Sequence, residues 1–281
     1  MTFRGLFFLL TIAFFGALPV IAQDLTADAI IAKHLDSIGP KEKRDEVKNR
    51  IALGTSSFES KLPAKKTGGK ALIASDASNL YFLASLASKE YPFEKIGYFN
   101  SKISLPFVIA GARSPLGAFL ADHEKILSDG LFGGSISNNW ILLNWQKGRG
   151  VVKATGTKKI DGKRAYGVEY FPKWVGTTEF SIRMYFDAET FQHVRTEYIH
   201  KISPKEDTFG QLGRQGGTEI SMTEKFADFR DEGGLILPHS YTVDYVTQSN
   251  SGTGEFIWGI TIAQYRYNQN LASDFFSFDG Q

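Results

Sequence analysis

A few groupings in this 281-residue chain have the residue types for chemistry. His193, Arg195 and Glu197 recur at period two on a predicted strand, which puts an imidazole and a carboxylate on one face. Such a pair could join a metal site, but zinc takes three or four protein ligands and this strand offers two. A solvated face with cross-strand charge pairs explains the pattern better. Asp122-His123-Glu124 lies in a predicted helix, where consecutive side chains diverge by about 100° and do not converge. His34 and Asp36 meet the same objection. Gly133-Gly134-Ser135-Ile136-Ser137 lacks the second glycine of a G-x-S-x-G nucleophile elbow. P-loop, H-E-x-x-H and calcium-loop patterns are also missing. The glycine pairs at 68–69, 133–134, 216–217 and 233–234 fit turns, since none joins a strand to a helix in a βαβ unit. The chain has no cysteine, so disulfides, thiolate ligands, thiol nucleophiles and lipidation through cysteine are ruled out. The residues thus predict no catalytic group, no metal and no cofactor, hence a protein that is not an enzyme.

The elements that position these residues are strands. Residues 151–202 write out successive strands, with Asp161-Gly162 as a hairpin turn and a second turn at 187–190. Phe180, Ile182, Met184 and Phe186 alternate with Ser181, Arg183 and Tyr185, the period-two mark of a half-buried strand. Earlier strands are predicted near 50–58, 69–75, 79–85 and 90–99, separated by turn material at 68–69, 76–78 and 87–89. Later ones fall near 218–229, 239–247 and 255–267, and in the last of these Phe256, Trp258, Ile260 and Ile262 share a face. The count is about 11–12 strands in a mainly β, antiparallel sheet. Before them come a helix capped by Thr26, with Ala29, Ile30, Ala32 and Leu35 as its apolar face, and a charged helix over 41–49.

Residues 100–148 interrupt the pattern. An apolar run, Leu105-Pro106-Phe107-Val108-Ile109, ends at Gly111. Ser114-Pro115 then opens a helix of about a dozen residues reaching Leu127. Gly130 to Ser135 reads as a flexible, hinge-like loop before the apolar segment 140–145. This is a helical lid or a helical plug laid over the sheet. Residues 203–217 read as a mobile loop. The tail holds Leu271, Phe275, Phe276 and Phe278, enough to dock as a final turn.

Residues 1–22 carry Arg4, an apolar run and a small-residue cleavage segment ending at Ala22, the three parts of a secretory signal. The run is too short to span a bilayer. The expected mature chain starts at Gln23 as a single domain over 23–281, periplasmic or secreted, with no stable membrane span after cleavage. Lys and Arg number 32 against 30 Asp and Glu, interspersed, so there is no electrostatic footprint for nucleic acid.

Several segments resemble the periplasmic outer-membrane lipoprotein carriers, the Lol-type sorting superfamily. They are ADAIIAKHLDSIG with KNRIALGTSSFE, then KKIDGKRAYGVEY, MYFDAETFQHVRTEY, KFADFRDEGGLILPHSYTVDY and finally LASDFFSF. The resemblance implies an unclosed β-barrel, a large sheet curled around a hydrophobic cavity with a helical lid over its concave face. It also implies a soluble, non-catalytic carrier of lipid, lipoprotein acyl chains or another apolar ligand, with an envelope transporter or receptor as delivery partner. Cavity-lining candidates are then Phe180, Ile182, Met184, Phe256, Trp258 and Ile260 from the sheet. From the insertion they are Phe107, Leu116, Phe119, Leu120 and Trp140. The alternatives are a secreted, hydrolase-like enzyme with its site in the cavity, and an outer-membrane β-barrel.

Overall fold

A computed structural model describes residues 25–147, 150–173, 179–202, 217–250 and 252–278. The signal segment, the 174–178 linker and nearly all of the 203–217 loop lie outside the described residues. Helix α1 (Ala27–Ile38) starts where Thr26 Oγ1 accepts from Ala29 N–H. It buries Ala27, Ile30, Ile31, His34 and Ile38, while Ala32 is exposed. The apolar stripe is thus rotated from the predicted one, because His34 behaves as a core residue. The short helix α2 (Lys41–Glu46) lies on the surface and ends before the predicted Asn49.

Among the described residues twelve strands follow: β1 Asn49–Lys61, β2 Ala64–Asp76, β3 Leu80–Ser85, β4 Phe93–Phe99, β5 Lys102–Ser104, β6 Gly150–Ile160, β7 Lys163–Pro172, β8 Phe180–Asp187, β9 His193–Ile202, β10 Thr218–Asp231, β11 Ile236–Ser249 and β12 Gly252–Tyr267. They form one antiparallel sheet in the order β5-β4-β3-β2-β1-β12-β11-β10-β9-β8-β7-β6. Consecutive strands pair except β5 and β6, which stand at opposite edges, and β1 pairs with β12 to join the two halves, so the sheet curls without closing. The Asp161-Gly162 turn has positive φ at both residues, +47° and +88°, matching the right-handed twist of the strands it joins. Asp76 and Asp187 each accept two backbone N–H groups inside their turns.

Gly68 and Gly69, expected as a turn, lie inside β2. A Cβ on Gly69 would sit 2.3 Å from Ser85 O, so glycine here permits close strand approach. β5, at three residues, is too short to show an alternation in sequence.

From β5 the chain crosses to β6 through helix α3 (Pro115–Asp122), helix α4 (Lys125–Ser128) and two 3-10 turns, Gly134–Ile136 and Ile141–Lys147. The predicted single helix is broken at His123. Its Nδ1 reaches Phe119 O at 2.9 Å and its ring lies against Phe119 and Phe180. The break turns Ile126 and Leu127 into the core. The tail residues Phe275, Phe276 and Phe278 pack on the opposite face of the sheet against Ile51, Ala74 and Tyr81.

Candidate functional site

The insertion packs into the concave face. Leu116, Leu120, Trp140, Ile182, Met184 and Trp258 are fully buried, and Phe119 and Ile260 nearly so. All eight belong to one continuous core that includes α1. The segment from Gly130 to Ser135, expected as a flexible hinge, is mostly buried and held from below. Gly133 N–H donates to Glu224 Oε1 at 2.7 Å, and Tyr241 Oη donates to the same oxygen at 2.6 Å. Tyr198 Oη lies 2.9 Å from Glu224 Oε2 and 3.0 Å from Leu131 O. A hydroxyl has one proton, so both Tyr198 contacts are hydrogen bonds only when Glu224 is protonated and donates to Tyr198. Burial accordingly raises the Glu224 carboxyl from 4.5 to about 7, against the downward pull of its donors.

A bulge in the β8–β9 pairing skips Val194, so His193 points inward together with Thr196 and Tyr198. The expected shared face of His193, Arg195 and Glu197 is therefore split. His193 lies among Trp140, Phe186 and Phe226, and burial holds its pKa well below the usual range. Arg195 and Glu197 form the predicted outer charge ladder with Asp161 and Lys158.

Open space occurs at the sheet end where the β1–β2 and β3–β4 turns lie. A groove of about 520 Å³ runs between Phe58, Pro63 and Phe256 on one side and Val108, Ile109 and Ala112 on the other. Its outer wall is the 105–113 loop, held by mutual hydrogen bonds of Ile109 and Ala112 and by Arg113 Nε donating to Leu105 O at 2.9 Å. This loop leaves Phe107 and Ile109 more than half exposed, at 53% and 52%. Leu62, at the β1–β2 turn, is also exposed. Phe107 carries the Arg113 guanidinium at 4.8 Å from its ring centroid. The groove is rimmed by Lys65, Lys66 and Arg113.

Beneath the groove lies a polar chain. Trp258 Nε1–H donates to Tyr91 Oη at 2.6 Å, and Tyr91 donates to Glu94, which also bonds Ser114. Ser114 Oγ in turn caps α3 by accepting from Gly117 N–H at 2.8 Å. Burial raises the Glu94 carboxyl to about 7 and pushes the Tyr91 phenol up. The chain fixes the floor of the groove to the start of α3, and every member has a partner, which suits a rigid wall.

Of the residues predicted to line a cavity, Phe256 lines this groove and Phe107 stands on the loop that walls it. Phe180 is half-buried beside His123, and the other eight are core. The sequence signalled the loop through its apolar run, but gave no sign of Phe58, Tyr91 or Glu94. They meet only because β1, β4 and β12 end together.

No family model matches this sequence, and no curated protein matches it. Solved structures give partial likenesses. It is similar to a DUF1329 family protein from Desulfovibrio piger, at 14% identity and a TM-score of 0.47 over 89% of this chain and 97% of that one. A LolA superfamily protein from Nitrosomonas europaea gives 12% identity and 0.45 over 91% and 99%. An outer membrane lipoprotein-sorting protein domain from Vibrio parahaemolyticus gives 11% and 0.42 over 87% and 97%.

Proposed function

We propose that this chain is a soluble, non-catalytic carrier of the bacterial periplasm that binds an acyl chain or similar apolar ligand in the groove between β1, β12 and the 105–113 loop. The groove itself supports this reading. It sets aromatic and aliphatic walls beside exposed Phe107 and Ile109, and its volume lies in the range of small-molecule sites. Exposed apolar side chains next to an apolar concavity mark a place where covering them gains free energy, at about 0.8 kcal/mol per buried methylene. The signal segment supports the compartment, and a delivery partner in the envelope follows from the carrier role.

Titration of the exported protein with a fluorescent fatty-acid probe tests the reading. Saturable binding that weakens about tenfold in Ile109→Glu, about 1.4 kcal/mol, is the expected result. Ile109 is exposed enough for the variant to fold. Absence of binding, or equal binding by the variant, would remove the groove as the site.

A further inference from the structure

A second cleft, of about 750 Å³, lies at the other end of β1, between α1, α2 and the second 3-10 turn. Arg50 in this cleft and Phe58 in the groove are eight positions apart on β1, about 26 Å at the rise of a strand. One wall is apolar: Leu35, Ile38, Val47, Leu142, Leu143 and Trp145. The other carries Lys41, Arg44, Lys48 and Arg50 and, among the described residues, one carboxylate, Asp45, which is paired with Lys41.

Arg50 is the informative residue. It is 4% exposed, yet among the described residues it forms no ion pair. Its Nη1 donates to the carbonyls of Ser135 and Ile136 at 2.5 and 3.3 Å, its guanidinium lies 5.8 Å from the Tyr267 ring centroid, and its Nε has no partner among the described residues. Ser135, 2% exposed on the same wall, also has an unpartnered Oγ. A buried cation without a counter-charge is costly, and an anion in the cleft offsets that cost. Arginine suits a carboxylate or phosphate because its planar fork bonds two oxygens at once.

We infer that this cleft binds an anionic headgroup, phosphate or carboxylate, attached to an apolar tail. The headgroup sits against Arg50 with Lys41 and Lys48 at the rim, and the tail lies along Leu142, Leu143 and Trp145. The site is separate from the groove and does not depend on what the groove binds.

The test is calorimetric titration of the exported protein with dodecyl phosphate below its micelle concentration, with inorganic phosphate and dodecyltrimethylammonium as comparisons. Dodecyl phosphate is expected to bind at least tenfold more tightly than inorganic phosphate, and the cationic amphiphile not to compete. The surface double variant K41Q/K48Q should weaken dodecyl phosphate at least fivefold and flatten its salt dependence, and Arg50→Met should weaken it further. Because Arg50→Met also removes bonds to the insertion, the surface variant decides if the former fails to fold. Ile109→Glu, which weakens the groove, should retain the part of this binding that K41Q/K48Q removes, so the cleft and the groove are told apart. The inference is overturned if K41Q/K48Q binds like the parent, if inorganic phosphate binds as tightly as the amphiphile, if the cation competes, or if Ile109→Glu abolishes binding.

Discussion

Replacing Glu224 by Gln should stabilise the protein at pH 8 and leave it nearly unchanged at pH 5. Glu224 is fully buried with its carboxyl raised from 4.5 to about 7. A group whose folded-state pKa is raised contributes stability that is present below its unfolded value and lost as pH rises through the folded one. The gap corresponds to about 3 kcal/mol at 1.36 kcal/mol per pH unit, lost mainly between pH 4.5 and 7. Glutamine reproduces the protonated acid. Its oxygen accepts from Gly133 N–H and Tyr241 Oη, and its amide donates to Tyr198, which passes its own proton to Leu131 O.

Buried His34, lowered to about 4, and His193, also lowered, act with the opposite sign and lose stability as pH falls below 6.5. The parent profile alone is therefore a sum of opposing slopes. The difference between parent and variant isolates Glu224, because the histidines are common to both. Urea unfolding followed by tryptophan fluorescence at pH 5, 6, 7 and 8 should show the variant gaining 2–3 kcal/mol of relative stability across that range, about 1 M in midpoint. A variant less stable than the parent at pH 8, with an unchanged difference at every pH, would mean that Glu224 is held as a carboxylate and that the protonated network is wrong.

Other substitutions test the packing. Gly134→Ala should cost about 3 kcal/mol in urea unfolding, since φ is +49° and the new Cβ would meet Phe226 at 2.6 Å and His193 at 2.9 Å. Gly111→Ala, with φ of +77° but open space around it, should cost only about 1 kcal/mol by the same measurement. Phe276→Ala in the tail should lose about 3 kcal/mol, because its ring is buried against the outer sheet face; a change below 1 kcal/mol would show that the tail docks without supporting the sheet.

The sheet was legible because alternation and turn chemistry act locally. Asp161-Gly162 marked its hairpin, and Phe180 to Phe186 and Phe256 to Ile262 declared their faces. What failed was whatever depends on distant partners. Gly68-Gly69 has the composition of a turn, yet its glycines serve the approach of Ser56 and Ser85 from neighbouring strands. The His193 face was misread because one bulged residue reverses every later side chain. His34 looked like a polar helix residue, but it closes an aromatic cluster with Trp140 of the insertion, Phe186 of β8 and His193 of β9. Of the residues proposed to line a cavity, eight are buried in the core while Phe107 stands exposed on the 105–113 loop. Periodicity cannot tell a filled concave face from an empty one, and the insertion that packs there is remote in sequence from the strands it covers. The groove and the basic cleft arise at opposite ends of β1, where several elements terminate together, so neither has a motif.

Native mass spectrometry with lipid extraction, on protein purified from a bacterial periplasm without detergent, tests the carrier reading most directly. A stoichiometric acyl-chain ligand, lost or reduced in Ile109→Glu, is the predicted result. Protein that is free of ligand and takes up no fatty-acid probe would contradict it.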